Sequence, residues 1–348
     1  MSGAVAREAV AAPSREVAAA ARTRLDALAT PLGAWGRLGE LAVWYAACSG
    51  SARPTGPERV RVVVLAGDHG VAQHGVSAYP AAVTPAMVRT VLAGGAGVAV
   101  LGRSLGATVR VLDIAVDDDL AGVPADVQRY KVRRSSGSID REDACSAAEI
   151  AAALAAGAEI AAEEIDAGAD LLVLGDLGIG NTTPAAVLIG AQLGLDAATV
   201  TGRGTGIDDP GLERKTEVIG AALARVRGRA ADPVDLLAAA GGADFAAGVG
   251  FLAAAARHGV PVLLDGVIAV AQALTAQRLQ PGAVHWWAAG HRSTEPAQSA
   301  ALQALGLEPL LDLGMRLGEG TGALAAVPLL RSATAVLSGM SLLSDLDL

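Results

Sequence analysis

Short apolar runs rich in β-branched residues alternate with longer stretches of helical spacing along most of this chain. The runs cover residues 60–65, 109–114, 171–174, 198–201, 260–264 and 284–288, with a less regular one at 309–313. Runs this short and apolar on both sides read as buried strands, and the helical stretches between them supply the crossovers that parallel strands require. The pattern predicts an α/β fold of three layers, a parallel sheet with helices on both faces. Outside the alternation, 16–28 and 38–48 read as an N-terminal pair of helices and 322–343 as C-terminal helices, which suggests a small helical domain built from both chain ends. The expected division is 1–55 for the N-terminal helices of the small domain, 56–315 for the large α/β domain, and 316–348 for the segment completing the small domain. Residues 116–146 are polar and irregular and read as loops, while the alanine-rich tract 147–162 keeps a helical pattern interrupted at Gly157.

Composition adds a membrane question, because 52% of the 348 residues are apolar and mean hydropathy is +0.42. Run lengths answer it: Arg257 and His258 interrupt 248–264, Arg331 interrupts 323–343, and no unbroken apolar stretch of about 18 residues is left to span a bilayer. Aromatic residues make up only 3%, so the excess is largely alanine and glycine and points to close helix packing. A net charge of −9 disfavours nucleic acid as a partner, and the basic cluster Lys131, Arg133, Arg134 is too short to reverse that. Cys48 and Cys145 have no metal-ligand or CxxC spacing, so a reduced, cytoplasmic protein without a structural metal is expected. Residues 1–24 interleave charges with alanine and do not read as a secretory signal.

Candidate chemistry gathers at the carboxyl ends of the predicted strands, where parallel sheets bind ligands. Asp68 and His69 follow the first run, Asp176 the third, Asp265 the fifth, and 291–295 the sixth. Gly175, Gly178 and Gly180 lie between a strand and a helix whose first turn takes Pro184, and the helix N–H groups with the hydroxyls of Thr182 and Thr183 would suit a phosphate or carboxylate. Local spacing leaves a ligand-free tight turn equally open. The loop is neither a Walker A sequence nor a dinucleotide fingerprint. A second glycine-rich loop, 202–210, precedes a helix with Lys215, which reads either as the charge partner of a phosphate or as a solvated helix residue. Asp208 and Asp209 follow their glycines and precede Pro210, the wrong order for a diphosphate–magnesium site. Asp68 with His69 reads as an acid–base pair, half a metal site, or a tie between loops; His74 reads as a surface residue. Glu319 sits among Gly318, Gly320 and Gly322, either as a surface glutamate in a turn or as a proton acceptor held against a ligand.

Taken in order, 30–38, 67–71, 178–183, 290–293 and 315–322 resemble the nicotinate-nucleotide:dimethylbenzimidazole phosphoribosyltransferase family over nearly the whole chain. The resemblance implies a large Rossmann-like domain that binds nucleotide, a small helical domain from both ends entered through a catalytic loop, and a homodimer. It implies transfer of the ribosyl phosphate of nicotinate mononucleotide to a benzimidazole such as 5,6-dimethylbenzimidazole, with no cofactor and no metal. By resemblance, Asp176, Leu177, Gly178, Asn181, Thr182, Gly204, Thr205, Lys215 and Ser293 hold the nucleotide and its phosphate. Glu319 matches the general base, and Ser77, Tyr79 and Met87 mark the base pocket. Leu32, Trp35 and Ser138 depart from the family pattern outside the glycine loops, which touches base preference or loop packing more than the reaction. Two rival readings are another nucleotide-dependent enzyme, such as a dehydrogenase, and a non-catalytic paralogue that binds nucleotide or azole for sensing or transport.

Overall fold

The computed structural model describes residues 9–347, so residues 1–8 and 348, which open and close the expected division and include part of the charged stretch weighed as a leader, lie outside the described residues. In chain order the elements are α1 (Arg15–Asp26), α2 (Gly36–Ser49), β1 (Val60–Gly67), α3 (Val83–Leu92), α4 (Gly97–Leu105), β2 (Thr108–Ala115), α5 (Ala147–Asp166), β3 (Leu171–Leu177), α6 (Thr182–Leu193), α7 (Ala197–Val200), α8 (Asp209–Arg225), α9 (Pro233–Ala240), α10 (Ala243–Arg257), β4 (Val262–Leu264), α11 (Val267–Leu279), β5 (Trp287–Ala289), α12 (Pro296–Leu305) and α13 (Thr321–Gly339). The strands form one parallel sheet in the order β2-β1-β3-β4-β5. Because side chains alternate across a strand, β1 sends Val63 and Leu65 to one core and Val62 and Val64 to the other. Helices α5 to α12 cover the first face; α1 to α4 and α13 cover the second. The three-layer α/β architecture is therefore the one the alternation predicts.

Several expected elements differ. Residues 198–200 of the expected strand fall in the short helix α7 instead, because Asp196 accepts the Thr199 N–H at 2.8 Å and caps a helical turn. The run at 284–288 begins as a 3-10 turn, Ala283–Trp286, and only its end enters β5. Residues 309–313 make no named strand; Leu310 and Leu311 donate to the Ala289 and Gly290 carbonyls at 2.9 and 3.1 Å, a fragment of pairing at the sheet edge. Gly157 does not interrupt its helix. An added Cβ there would run into the Ala247 carbonyl of α10, and one on Gly250 into the Leu154 carbonyl of α5, so the two glycines let these backbones touch.

Two stretches are long and apolar enough to cross a membrane by length and composition, Val83–Leu105 and Thr321–Gly339, with mean hydropathy 1.4 and 1.3. Counting unbroken runs misses them because each tolerates a charge. The first is broken between α3 and α4 by Gly94 and Gly95, and the second is α13, which packs with α1, α2 and the strands in one core.

Candidate active site

The site is built at the carboxyl edge of the sheet, on both sides of the point where strand order reverses between β1 and β3. There β3 ends in Asp176 and Leu177, and the chain turns through Gly178, where an added Cβ would run into the Gly67 carbonyl at the end of β1; only glycine lets the two strand ends approach. Helix α6 then starts at Thr182; the Thr183 N–H donates to the Gly180 carbonyl at 3.0 Å and Pro184 carries no N–H, which leaves the Thr182 N–H available in the first turn. A cavity of about 430 Å³ opens over this edge. Asp176, Leu177, Gly178, Asn181, Thr182, Gly204, Thr205, Ser293, Tyr79, Met87 and Glu319 all line it. Lys215 and Ser77 do not line it but support residues that do.

Lys215 is fully buried rather than solvated. Its ammonium donates to Thr182 Oγ1 at 2.8 Å and to the Gly202 carbonyl at 2.9 Å, so it ties the start of α6 to the second glycine loop from beneath. Burial pulls its pKa below the usual lysine value, with Glu295 opposing. The Glu295 carboxylate accepts the Gly204 N–H at 2.8 Å. Ser77 lies 3.0 Å from the Thr205 hydroxyl, which also accepts the Ala78 N–H at 2.8 Å, and so fixes the loop that carries Tyr79. Tyr79, Val83 and Met87 form the apolar flank of the cavity with Leu177 and Ile179, suited to a flat heterocycle.

Glu319 lines the same cavity, buried and held at φ 61° between two glycines that are also left-handed. Its N–H donates to the Asp176 carbonyl at 3.3 Å, and its Oε2 has no hydrogen-bond partner. Burial pushes its carboxyl above the usual glutamate value, Asp265 adds to the shift, and the Val98 N–H opposes it. Asp265 behaves differently although it is as deeply buried. It accepts the Gly320 and Ala323 N–H groups at 3.0 Å each, capping α13, and His291 Nε2 lies 3.4 Å away. Burial alone would raise its pKa, but His291 and these N–H groups outweigh it and hold Asp265 below the usual range. Two neighbouring carboxyls are thus pushed apart: Asp265 stays ionised and structural, while Glu319 is poised to take a proton.

Asp68 and His69 sit below the cavity. His69 Nε2 is 2.9 Å from Asp244 Oδ2, and Asp68 accepts the Asp117 N–H at 2.8 Å. Burial would lower the His69 pKa, but Asp244, with Asp176 and Asp68, outweighs it and raises it above the usual histidine value. Asp176 itself is pushed up by burial and by Asp244; Asn181 donates to it at 2.8 Å and Gln272 at 3.4 Å. Of the sequence alternatives, this geometry favours the loop tie. His74 is part-buried rather than on the surface, 3.1 Å from Ser138 Oγ and 3.4 Å from Asp140. Sequence reading singled out neither Asp244 nor Gln272, which arrive from α10 and α11 without a local motif. It noted Asp265, His291 and Glu295 as strand-end residues without roles, and Arg316 only as part of a glycine-rich segment.

A family model described as phosphoribosyltransferase (DBI_PRT) matches residues 10–346. The chain is 56% identical over 334 residues, 95% of both chains, to the nicotinate-nucleotide–dimethylbenzimidazole phosphoribosyltransferase of Mycolicibacterium paratuberculosis. It is 54% identical to the protein of the same name from Mycobacterium tuberculosis, over 97% of this chain and 92% of that one. The crystal structure of CobT from Thermus thermophilus superposes with a TM-score of 0.90 at 42% identity, covering 94% of this chain and 98% of that one. With sequence, fold and strand-edge cavity in agreement, the chain belongs to the nicotinate-nucleotide–dimethylbenzimidazole phosphoribosyltransferase family.

Proposed function

We propose that this protein transfers the ribosyl phosphate of nicotinate mononucleotide to 5,6-dimethylbenzimidazole, giving α-ribazole 5′-phosphate and nicotinate. The observation that carries the reading is Glu319, a buried carboxyl with an unpartnered oxygen, in a cavity that Tyr79, Val83 and Met87 also line. A benzimidazole nitrogen attacks the anomeric carbon on the face away from nicotinate. The C–N bond to nicotinate breaks and its electron pair returns to the pyridinium nitrogen, which becomes neutral. The new benzimidazolium then gives its N–H proton to the Glu319 carboxylate, and attack from the opposite face turns a β-nucleotide into an α-product. The start of α6, Thr182, Gly204 and Thr205 hold the phosphate, with Lys215 supplying charge from beneath and Ser293 closing the cavity behind the nucleotide. Tyr79 and Met87 take the azole, and Ser77 braces their loop.

In this reading the protein is a homodimer in the cytoplasm that acts on small molecules, and 1–55 with 316–348 form the small domain around the large one. A binding-only role for sensing or transport is the weaker alternative, because holding Glu319 buried without a partner for Oε2 costs free energy that simple binding does not require. The test is to incubate pure protein with nicotinate mononucleotide and a panel of benzimidazoles and to identify the products by mass. α-Ribazole phosphate and nicotinate should form in equal amounts, and excess chelator should not slow them, since a cationic leaving group needs no metal to depart. Absence of any ribosyl-azole product would overturn the reading, and loss of turnover in chelator would overturn the mechanism.

A further inference from the structure

We propose that Arg316 grips the 5′-phosphate of the nucleotide and, through the short segment it shares with Glu319, sets the general base in position; this rests on the reading given under Proposed function. The cavity wall carries the carboxyls of Asp176, Asp265, Glu295 and Glu319, and Arg316 is the single lysine or arginine among the described residues that line it. A doubly negative phosphate entering such a wall needs a cation with free donors. Lys215 has committed two of its three N–H donors to Thr182 and Gly202 and lies wholly beneath the surface. Arg316 is exposed and lies across the outer side of the same glycine loop. Its Nη1 donates to the Gly204 carbonyl at 3.1 Å, and a Cβ added to Gly206 would stand 2.9 Å from that nitrogen.

On the inner side, a Cβ added to Gly204 would stand 2.9 Å from Thr182 Oγ1 and 3.1 Å from Lys215 Nζ. The two cations therefore bracket Gly204 beside the first turn of α6, where the Thr182 N–H and hydroxyl lie. A guanidinium has five donors and one is in use, which leaves a fork free for phosphate oxygens. Arg316 also precedes Glu319 by only three residues. From Gly318 through Gly320 the backbone is left-handed, with φ of 83°, 61° and 88°, and is pinned downstream by Asp265. A phosphate drawn onto Arg316 fixes the upstream end of that segment, so binding energy from a part of the substrate remote from the reaction is converted into placement of the base.

The test compares parent, Arg316→Ala and Arg316→Lys by calorimetry with three donors: nicotinate mononucleotide, nicotinate riboside, which lacks the phosphate, and nicotinamide mononucleotide, whose ring bears a neutral amide. Arg316→Ala should weaken both nucleotides by about ten- to 150-fold, the range of a charge-assisted contact, and change riboside affinity by less than about threefold. Turnover at saturating nicotinate mononucleotide should also fall, with the melting temperature unchanged, and Arg316→Lys should restore affinity more than turnover, because a point charge replaces the fork. Unchanged nucleotide affinity, or equal loss of riboside affinity, overturns the proposal. A loss confined to nicotinate mononucleotide assigns Arg316 to the ring carboxylate and overturns it as well. Failure of the parent to make α-ribazole phosphate would defeat the functional reading instead, while the binding comparison would still judge the phosphate contact.

Discussion

Glu319 concentrates the chemistry because burial, backbone strain and an unpartnered oxygen coincide on it. Glu319→Gln keeps size and shape but cannot accept the proton, so turnover should fall about 10²–10⁴-fold while both substrates still bind, as steady-state kinetics and a thermal melt on the same preparation would show. A turnover number within about threefold of the parent would remove Glu319 from the mechanism. Its raised pKa has a consequence with a definite sign. The base acts deprotonated, so kcat/KM should decline as pH falls through a value above the ordinary glutamate range, and the acid limb should vanish in Glu319→Gln. Lys215 makes a second residue-scale prediction. Lys215→Met keeps the stem and removes the charge, so titration should show nucleotide affinity lower by about ten- to 150-fold and azole affinity nearly unchanged. The melting temperature should fall too, because Thr182 Oγ1 and the Gly202 carbonyl lose a buried donor. From sequence alone Lys215 could equally have been solvated: a lysine on a helix says nothing of whether 202–210 folds over it.

Elements position these residues by where they stop and how closely they pack. The loops after β1, β3, β4 and β5 converge because every strand is parallel, and α13 begins at the site because Asp265 caps it. Helices α5 and α10 cross backbone to backbone at Gly157 and Gly250, beneath the Asp244 and His69 pair that supports Asp176. Gly157→Ala forces a methyl into the Ala247 carbonyl and should destabilise by about 1–3 kcal/mol or more, measured by denaturant unfolding. Gly339→Ala, at an open position in α13, should instead stabilise by about 0.4–1 kcal/mol. A glycine within helical spacing looks alike in both settings, since the pattern records spacing along one helix and not what lies across from it.

At the scale of the molecule, α13 links the site to the opposite end of the chain. Glu319 stands just before its first turn, which Asp265 caps, while near its last turn Arg24 donates to the carbonyls of Leu337, Ser338 and Met340. Arg24→Ala should therefore cost about 1–3 kcal/mol in unfolding free energy and leave kcat unchanged, because the loss falls at the end of the helix away from the base. The alternation of apolar runs and helical spacing determined the three-layer α/β fold, and the ordered motifs determined the family, because side-chain period and turn chemistry are local properties of the chain. Strand order, the burial of Lys215, the meeting of Asp244 with His69 and the placing of Arg316 over Gly204 were decided only in the tertiary structure. Each depends on groups tens of residues or more apart whose interaction exists only once the sheet edge has brought them within a few ångströms, where burial and neighbouring charge set what each can do.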